Sequence, residues 1–240
     1  MSLPDLVLIT RPPPGAATTA RKVAEMGLTP VVAPVMAIQP AQARLPPASK
    51  LAAVLLASGN AIAALPRAYR SLPVLAVGAA TAERARAAGF AKAESADGDA
   101  RALMALVRSR FSPADGTLLL AAGQGQSQSL AGFLAFAGYT VERRVVYAAL
   151  PVPVLPEAAA ELLRGLVPSP SPGCVVLFFS ADTARVFMRL VRAAGLEHAL
   201  PHCEAVTIGH PAAMALEGGG WARVRVAQRP NQEEMLALLR

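Results

Sequence analysis

Short apolar runs recur along the chain, each closed by a small or hydroxylated residue and followed by helix formers. Leu6–Ile9, Ala53–Leu56, Val74–Val77, Thr117–Ala121, Val175–Phe179 and Ala205–Ile208 show little polar alternation. That is the pattern of parallel strands covered on both faces. Between them the spacing predicts helices over Ala16–Met26, Ala61–Leu65, Ala82–Ala87, Asp99–Arg110, Leu130–Ala137, Glu157–Leu166 and Ala184–Ala194, with a last one from about Asn231. Gly27, Gly89 and Gly138 stand where a left-handed residue ends a helix, and Thr81 and Asp97 or Asp99 stand where caps are expected. Ala93–Gly98 reads as a polar turn. Val31–Ile38 contains Pro34 and so reads as an edge or ribbon strand, with Val141–Ala149 as a second extended segment. Proline-rich connectors follow both, at Gln39–Ser49 and Pro151–Pro156, and a Pro/Ser linker spans Val167–Gly173.

The strand–turn–helix unit repeats in order. Val7–Thr10 matches Leu118–Ala121 and Gly27 matches Gly138, both at an offset of 111; Ser58 matches Ser180 at 122, and Gly78 matches Gly209 at 131. An offset that grows through small insertions is what a duplicated domain leaves behind. Each half could fold contiguously, or the first strand and helix could exchange partners so that the chain crosses between domains twice. The two extended segments with their proline connectors favour the exchanged arrangement, the crossings pairing as a hinge. Bare backbone N–H groups then open at the carboxyl ends of the strands, where open α/β sheets bind ligands and anions find donors.

Composition narrows the partner. At 240 residues the chain supports one large or two small domains, and its 54% hydrophobic content is largely alanine. The longest charge-free stretch, Thr117–Val141, is interrupted by GQGQSQS and cannot cross a bilayer as a helix, so no membrane association is expected. Asp5 and the absence of an early basic cluster argue against a signal peptide. Cys174 and Cys203 form no disulfide framework and suit a reducing cytoplasm. The net charge is +7, with 20 Arg and 3 Lys. The basic residues are dispersed and aromatics few, which speaks against nucleic acid and for a small polycarboxylate or phosphorylated ligand. Cys174, Cys203, His198 and His202 lack metal-site spacing, so no metal is expected. Gly123-Gln124-Gly125 begins a dinucleotide-type turn, but Gln128 stands where its third glycine belongs.

The ordered segments VLITRP, LLASGNAIAAL, VLAVGAAT, TLLLAAG, VVYAAL, VLFFSADTA, AVTIG and RPNQEEML resemble the uroporphyrinogen-III synthase family over essentially the whole chain. The resemblance implies an α/β class with two similar parallel-sheet, flavodoxin- or Rossmann-like three-layer domains joined by a two-stranded β linker. The corresponding boundaries are 1–34 with 152–240 for one domain, 40–142 for the other, and 31–39 with 141–151 for the linker. It further implies a cytoplasmic, cofactor-independent lyase of tetrapyrrole synthesis. Its substrate would be linear hydroxymethylbilane, cyclised with loss of water and inversion of ring D through a spirocyclic intermediate. A monomer is expected, with room for transient contact with hydroxymethylbilane synthase. The substrate's carboxylates suit a basic protein with several helix starts around an interdomain cleft.

Motif by motif, the resemblance carries substrate binding to Thr10, Arg11, Ser58, Gly59, Asn60, Gly78, Thr81, Gly123, Ser180, Ala181, Thr183 and Gly209. Tyr147 matches a family tyrosine whose phenol could act as a general acid. Two departures stand out. Where the family has an arginine near 126–128 this chain has Gln126, Ser127 and Gln128, and the threonine equivalent to Thr81 in the second copy is Ala212. His210 is the residue expected to replace part of what is lost. Those departures also motivate a second reading, a diverged non-catalytic paralogue that binds a small anion as a sensor or partner module; a nucleotide-binding α/β transferase stands third, because the chain holds no complete phosphate loop.

Overall fold

The computed structural model describes residues 5–166 and 173–240. The chain divides into two units, Met1–Ala37 with Leu150–Arg240, and Ile38–Ala149. Most of the Val167–Gly173 linker lies outside the described residues.

The first unit is built on β1 (Leu6–Ile9), β2 (Thr29–Val32), β9 (Cys174–Phe178), β10 (Cys203–Thr207) and β11 (Arg223–Val226). These lie in the order β11-β10-β9-β1-β2, every pair parallel. Around them run α1 (Gly15–Glu25), α5 (Glu157–Arg164), α6 (Ala181–Ala193), α7 (His210–Met214) and α8 (Gln232–Ala237). β1 and β9 are apolar throughout because both faces are covered, and β10 is buried along its length with Glu204 and Thr207 among its residues; Val7, Leu8, Ile9, Val175 and Val206 are fully buried. Val7, Val175 and Val206 meet Met235 of α8 on one face. Cys174 and Cys203 sit opposite each other in this sheet, both fully buried, and their sulfurs are 3.3 Å apart.

The second unit holds β3 (Met36–Pro40, which begins in the first), β4 (Leu51–Leu56), β5 (Val74–Ala76), β6 (Ala93–Ser95), β7 (Thr117–Gly123) and most of β8 (Val141–Pro151). Their order is β3-β8-β7-β4-β5-β6. α2 (Ala79–Ala87), α3 (Ala100–Arg110) and α4 (Gln128–Phe136) complete it. Alternate residues of β4 serve opposite faces: Val54 and Leu56 pack with Ala82 and Ala85 of α2, Ala53 and Leu55 with Leu103 and Val107 of α3. Read from β6, the order β6-β5-β4-β7-β8 repeats β11-β10-β9-β1-β2 element for element, so the duplication is visible in the topology. β3 and β8 run antiparallel where the chain passes between units; the Val152 amide bonds Val35 and the Ala41 amide bonds Val146.

Several local expectations are corrected. Val31–Ile38 is two strands, β2 and β3, because Pro34 lies in a break whose neighbours Ala33 and Val35 bond instead to Ile9 and Thr10 carbonyls. Ala93–Gly98 opens with β6, a short edge strand. β11, RVRV at the other sheet's edge, alternates like a half-exposed strand and lacks the apolar signature. The expected helix at Ala61–Leu65 is a 3-10 helix over Gly59–Ala64. Thr81 is not a cap. Gly78 takes that place, its carbonyl accepting from the Thr81 and Ala82 amides, which leaves Thr81 inside the first turn. The cap of α3 is Asp99, whose carboxylate accepts from the Arg101 and Ala102 amides. Gly27 and Gly138 do take left-handed angles, with φ of +80° and +90°.

Candidate functional site

In the second unit, register places the candidate residues in one row. Leu56 pairs with Ala76 on one side and Ala121 on the other, so Ser58, Gly78 and Gly123 each stand two residues beyond that row at the carboxyl edge. Ser58 caps the following 3-10 helix by accepting from the Asn60 amide at 3.3 Å. Gly59 is buried beneath Arg84 of α2, whose Nη2 donates to the Gly59 carbonyl at 2.8 Å. A β carbon at Gly59 would fall 2.5 Å from that guanidinium, so the guanidinium keeps this place only over glycine. Burial holds the Arg84 pKa below its ordinary value. Gly78 is extended and would meet nothing within 4 Å if it carried a side chain. It opens a helix start whose first N–H groups have no intrahelical acceptor.

The Gly123–Ser127 turn is held from below. Tyr147 is 2% exposed, its ring 2.7 Å from where a β carbon on Gly123 would sit. Its hydroxyl donates to Gln126 Oε1 at 2.9 Å, so the group expected as a general acid already has an acceptor. Arg143 of β8 donates through Nε to the Gln126 carbonyl at 2.9 Å and through Nη2 to the Gly123 carbonyl at 3.4 Å. The cation expected to be missing from 126–128 therefore reaches the same turn from another strand. Ser127, with φ of 60°, is one of two non-glycine residues described in the left-handed region.

In the first unit the strand ends are more fully engaged. Thr10 is fully buried and donates its hydroxyl to the Leu177 carbonyl at 2.6 Å, tying β1 to β9. Arg11 stacks over Phe179 at 4.0 Å and donates to Gln232 Oε1 at 3.0 Å. Ser180 caps α6 by accepting from the Thr183 amide, and the two hydroxyls are 2.8 Å apart. Ala181 is the first residue of α6. Gly209 repeats the turn of Gly78: its carbonyl accepts from the Ala212 and Ala213 amides as Gly78 does from Thr81 and Ala82. His210 follows it, exposed, beside a groove of about 290 Å³ that it shares with Met214, Leu216 and Val224. Ala212 is 1% exposed, so the place of the lost threonine is packed.

The model of the family described as uroporphyrinogen-III synthase HemD matches residues 17–237. The chain belongs to the uroporphyrinogen-III synthase family. No curated protein matches significantly by sequence. Among solved structures, uroporphyrinogen-III synthetase from Helicobacter pylori superposes with a TM-score of 0.62 at 16% identity, covering 99% of this chain and 98% of that one. A mutant uroporphyrinogen III synthase from the extreme thermophile Thermus thermophilus gives 0.48 at 22% identity, over 97% and 96%. Family membership implies a polypyrrole substrate. No helix among the described residues is long and apolar enough to cross a membrane, and no group of three or more metal-ligating side chains occurs among them.

Within each unit the structure thus assembles the predicted residues at one sheet edge: Ser58, Gly59, Asn60, Gly78, Thr81, Gly123 and Tyr147 in the second, Thr10, Arg11, Ser180, Ala181, Thr183, Gly209 and His210 in the first. Arg84 and Arg143 join them without having been expected. The helical geometry held a signal for Arg84, since a residue in the second turn leans back toward the helix start. Arg143 carried none beyond its adjacency to Arg144.

Proposed function

We propose that this chain cyclises hydroxymethylbilane to uroporphyrinogen III, the family's reaction, acting in the cytoplasm without a cofactor. The family match over 17–237, which spans nearly the whole of both units, carries the reading. In this reaction the terminal hydroxymethyl carbon loses its hydroxyl, which takes up one proton and departs as water. That carbon bonds to the already substituted α carbon of ring D to give the spirocyclic intermediate, the old bond from that α carbon to the methylene bridge breaks, and the bridge carbon bonds instead to ring D's free α carbon, whose proton returns to solvent.

An electron-rich pyrrole releases hydroxide with modest help, so the demand on the protein is orientation. The strand ends suit that demand. Gly78 and Gly209 open helix starts that favour carboxylates, and Ser58, Asn60, Thr81 and Ser180 add short polar side chains nearby. Thr10, whose hydroxyl is spent on the Leu177 carbonyl, serves the sheet. Tyr147 acts as a positioning residue that clamps the Gly123 turn through Gln126. The test is to incubate purified protein with hydroxymethylbilane, oxidise the products and separate the isomers. The type III isomer is expected; type I alone, the product of unassisted closure, overturns the proposal.

A further inference from the structure

Several arginines in this protein meet acids. Arg110 pairs with Glu94 at 2.6 Å, Arg144 with Glu142 at 2.5 Å, and Arg225 with the buried Glu204 at 2.6 Å. Arg84 and Arg143 differ. Among the described residues neither forms an ion pair, although Arg143 adjoins the neutralised Arg144. Both are half-buried, and both bond backbone carbonyls at the carboxyl edge of the second unit's sheet, Arg84 at Gly59 and Arg143 at Gly123 and Gln126. Arg86, two residues further along α2, turns instead to Ala93 at the opposite edge.

We propose that Arg84 and Arg143 are the substrate-carboxylate anchors of the second unit, each presenting to an acidic side chain of the linear tetrapyrrole the guanidinium N–H groups that the backbone leaves unspent. The proposal rests on the synthase reading above. A guanidinium carries five N–H donors, of which Arg84 spends one on the Gly59 carbonyl and Arg143 two on the Gln126 and Gly123 carbonyls. The carbonyls fix each fork without cancelling its charge, so little orientation entropy remains to be lost when a carboxylate docks. Half-burial removes part of each cation's hydration, and a bidentate anion restores it. Gly123 is level with Ser58 in the register of the neighbouring strands β7 and β4, and Gly59 is the next residue, so the two cations bond backbone at adjacent strand ends of the same sheet edge. Arg143 thereby brings a cation from β8 to a turn whose own residues 126–128 carry none.

The experiment compares Arg84→Met, Arg143→Met and the corresponding lysine variants with the unaltered chain. It measures kcat and KM for hydroxymethylbilane, the affinity for uroporphyrin III by fluorescence titration, and the melting temperature. Each methionine variant should raise KM and weaken porphyrin binding by about tenfold, the scale of one charged hydrogen-bonded contact. kcat should stay within about twofold, lysine should recover part of the loss, and the salt dependence of binding should flatten. Unchanged KM and affinity in the methionine variants, with or without a lower melting temperature, overturns the proposal. If the unaltered chain yields only type I product, the synthase reading fails; porphyrin affinity then judges the anchors alone, and equal affinity in variants and parent overturns them.

Discussion

Replacing Tyr147 by phenylalanine separates an acid from a clamp. The substitution removes one hydroxyl and leaves the buried ring against Gly123. What is lost is the 2.9 Å bond to Gln126 Oε1, a neutral pair worth about 0.5–1.5 kcal/mol. Gln126 is exposed, so its amide oxygen regains water and the cost lies at the lower end, about 0.5 kcal/mol. For a chain of this size that lowers the melting temperature by roughly 1–2 °C. Gln126→Ala removes the same bond from the other side, so the double variant should lose less than the sum of the two single losses. Initial rates of uroporphyrinogen III formation should fall less than about fivefold, because a loosened turn costs orientation and no proton donor is removed. A hundredfold or greater fall in kcat with an unchanged melting temperature is the signature of a general acid and would refute the clamp.

Gly59→Ala should push the Arg84 guanidinium off the Gly59 carbonyl, since the new β carbon would sit 2.5 Å from it. The obstacle is the end of a flexible side chain, so thermal unfolding should move little while KM for hydroxymethylbilane rises. Thr10→Val keeps the shape but orphans the Leu177 carbonyl in the core of the first unit; a loss of about 1–3 kcal/mol in denaturant unfolding is expected. The Lys22 ammonium, by its hydrogen bond, holds Glu233 below its ordinary value of 4.5. Because the folded-state pKa is depressed, the pair's contribution is complete above 4.5 and disappears as pH falls through the folded value. Glu233→Gln should flatten the melting-temperature profile in that acid window only, and by a small amount because the pair is largely exposed.

What can be read in the chain follows from how completely each element is buried. β1, β4, β7, β9 and β10 are covered on both faces, so their apolar runs announce them, and Gly27, Gly89 and Gly138 end helices in the left-handed region that their sequence position suggests. β6 and β11 are edges; β6 is partly covered and β11 half exposed, so they spell AES and RVRV and look like loop. The start of α2 departs from expectation because Thr81 is a good cap type, whereas Gly78 supplies the carbonyl that accepts the first helical amides. Within the site, small residues at strand ends are legible because strand, turn and helix leave few places for them. Arg84 shows only by its place in the second turn of α2, and Arg143 not at all. An arginine spans several ångströms, and which carbonyl it reaches is set by the register of β7 against β8 and the placement of α2 over β4, neither of which is local to the residue.

The central claim is that this chain closes a linear tetrapyrrole with its last ring turned over. Hydroxymethylbilane carrying carbon-13 in ring D, converted by the purified protein and followed by NMR, tests that directly. The account predicts that the labelled carbons appear in the couplings of an inverted ring, as in uroporphyrinogen III, at a rate proportional to protein concentration. Labels retained in the original ring orientation, at a rate the protein does not change, would contradict it.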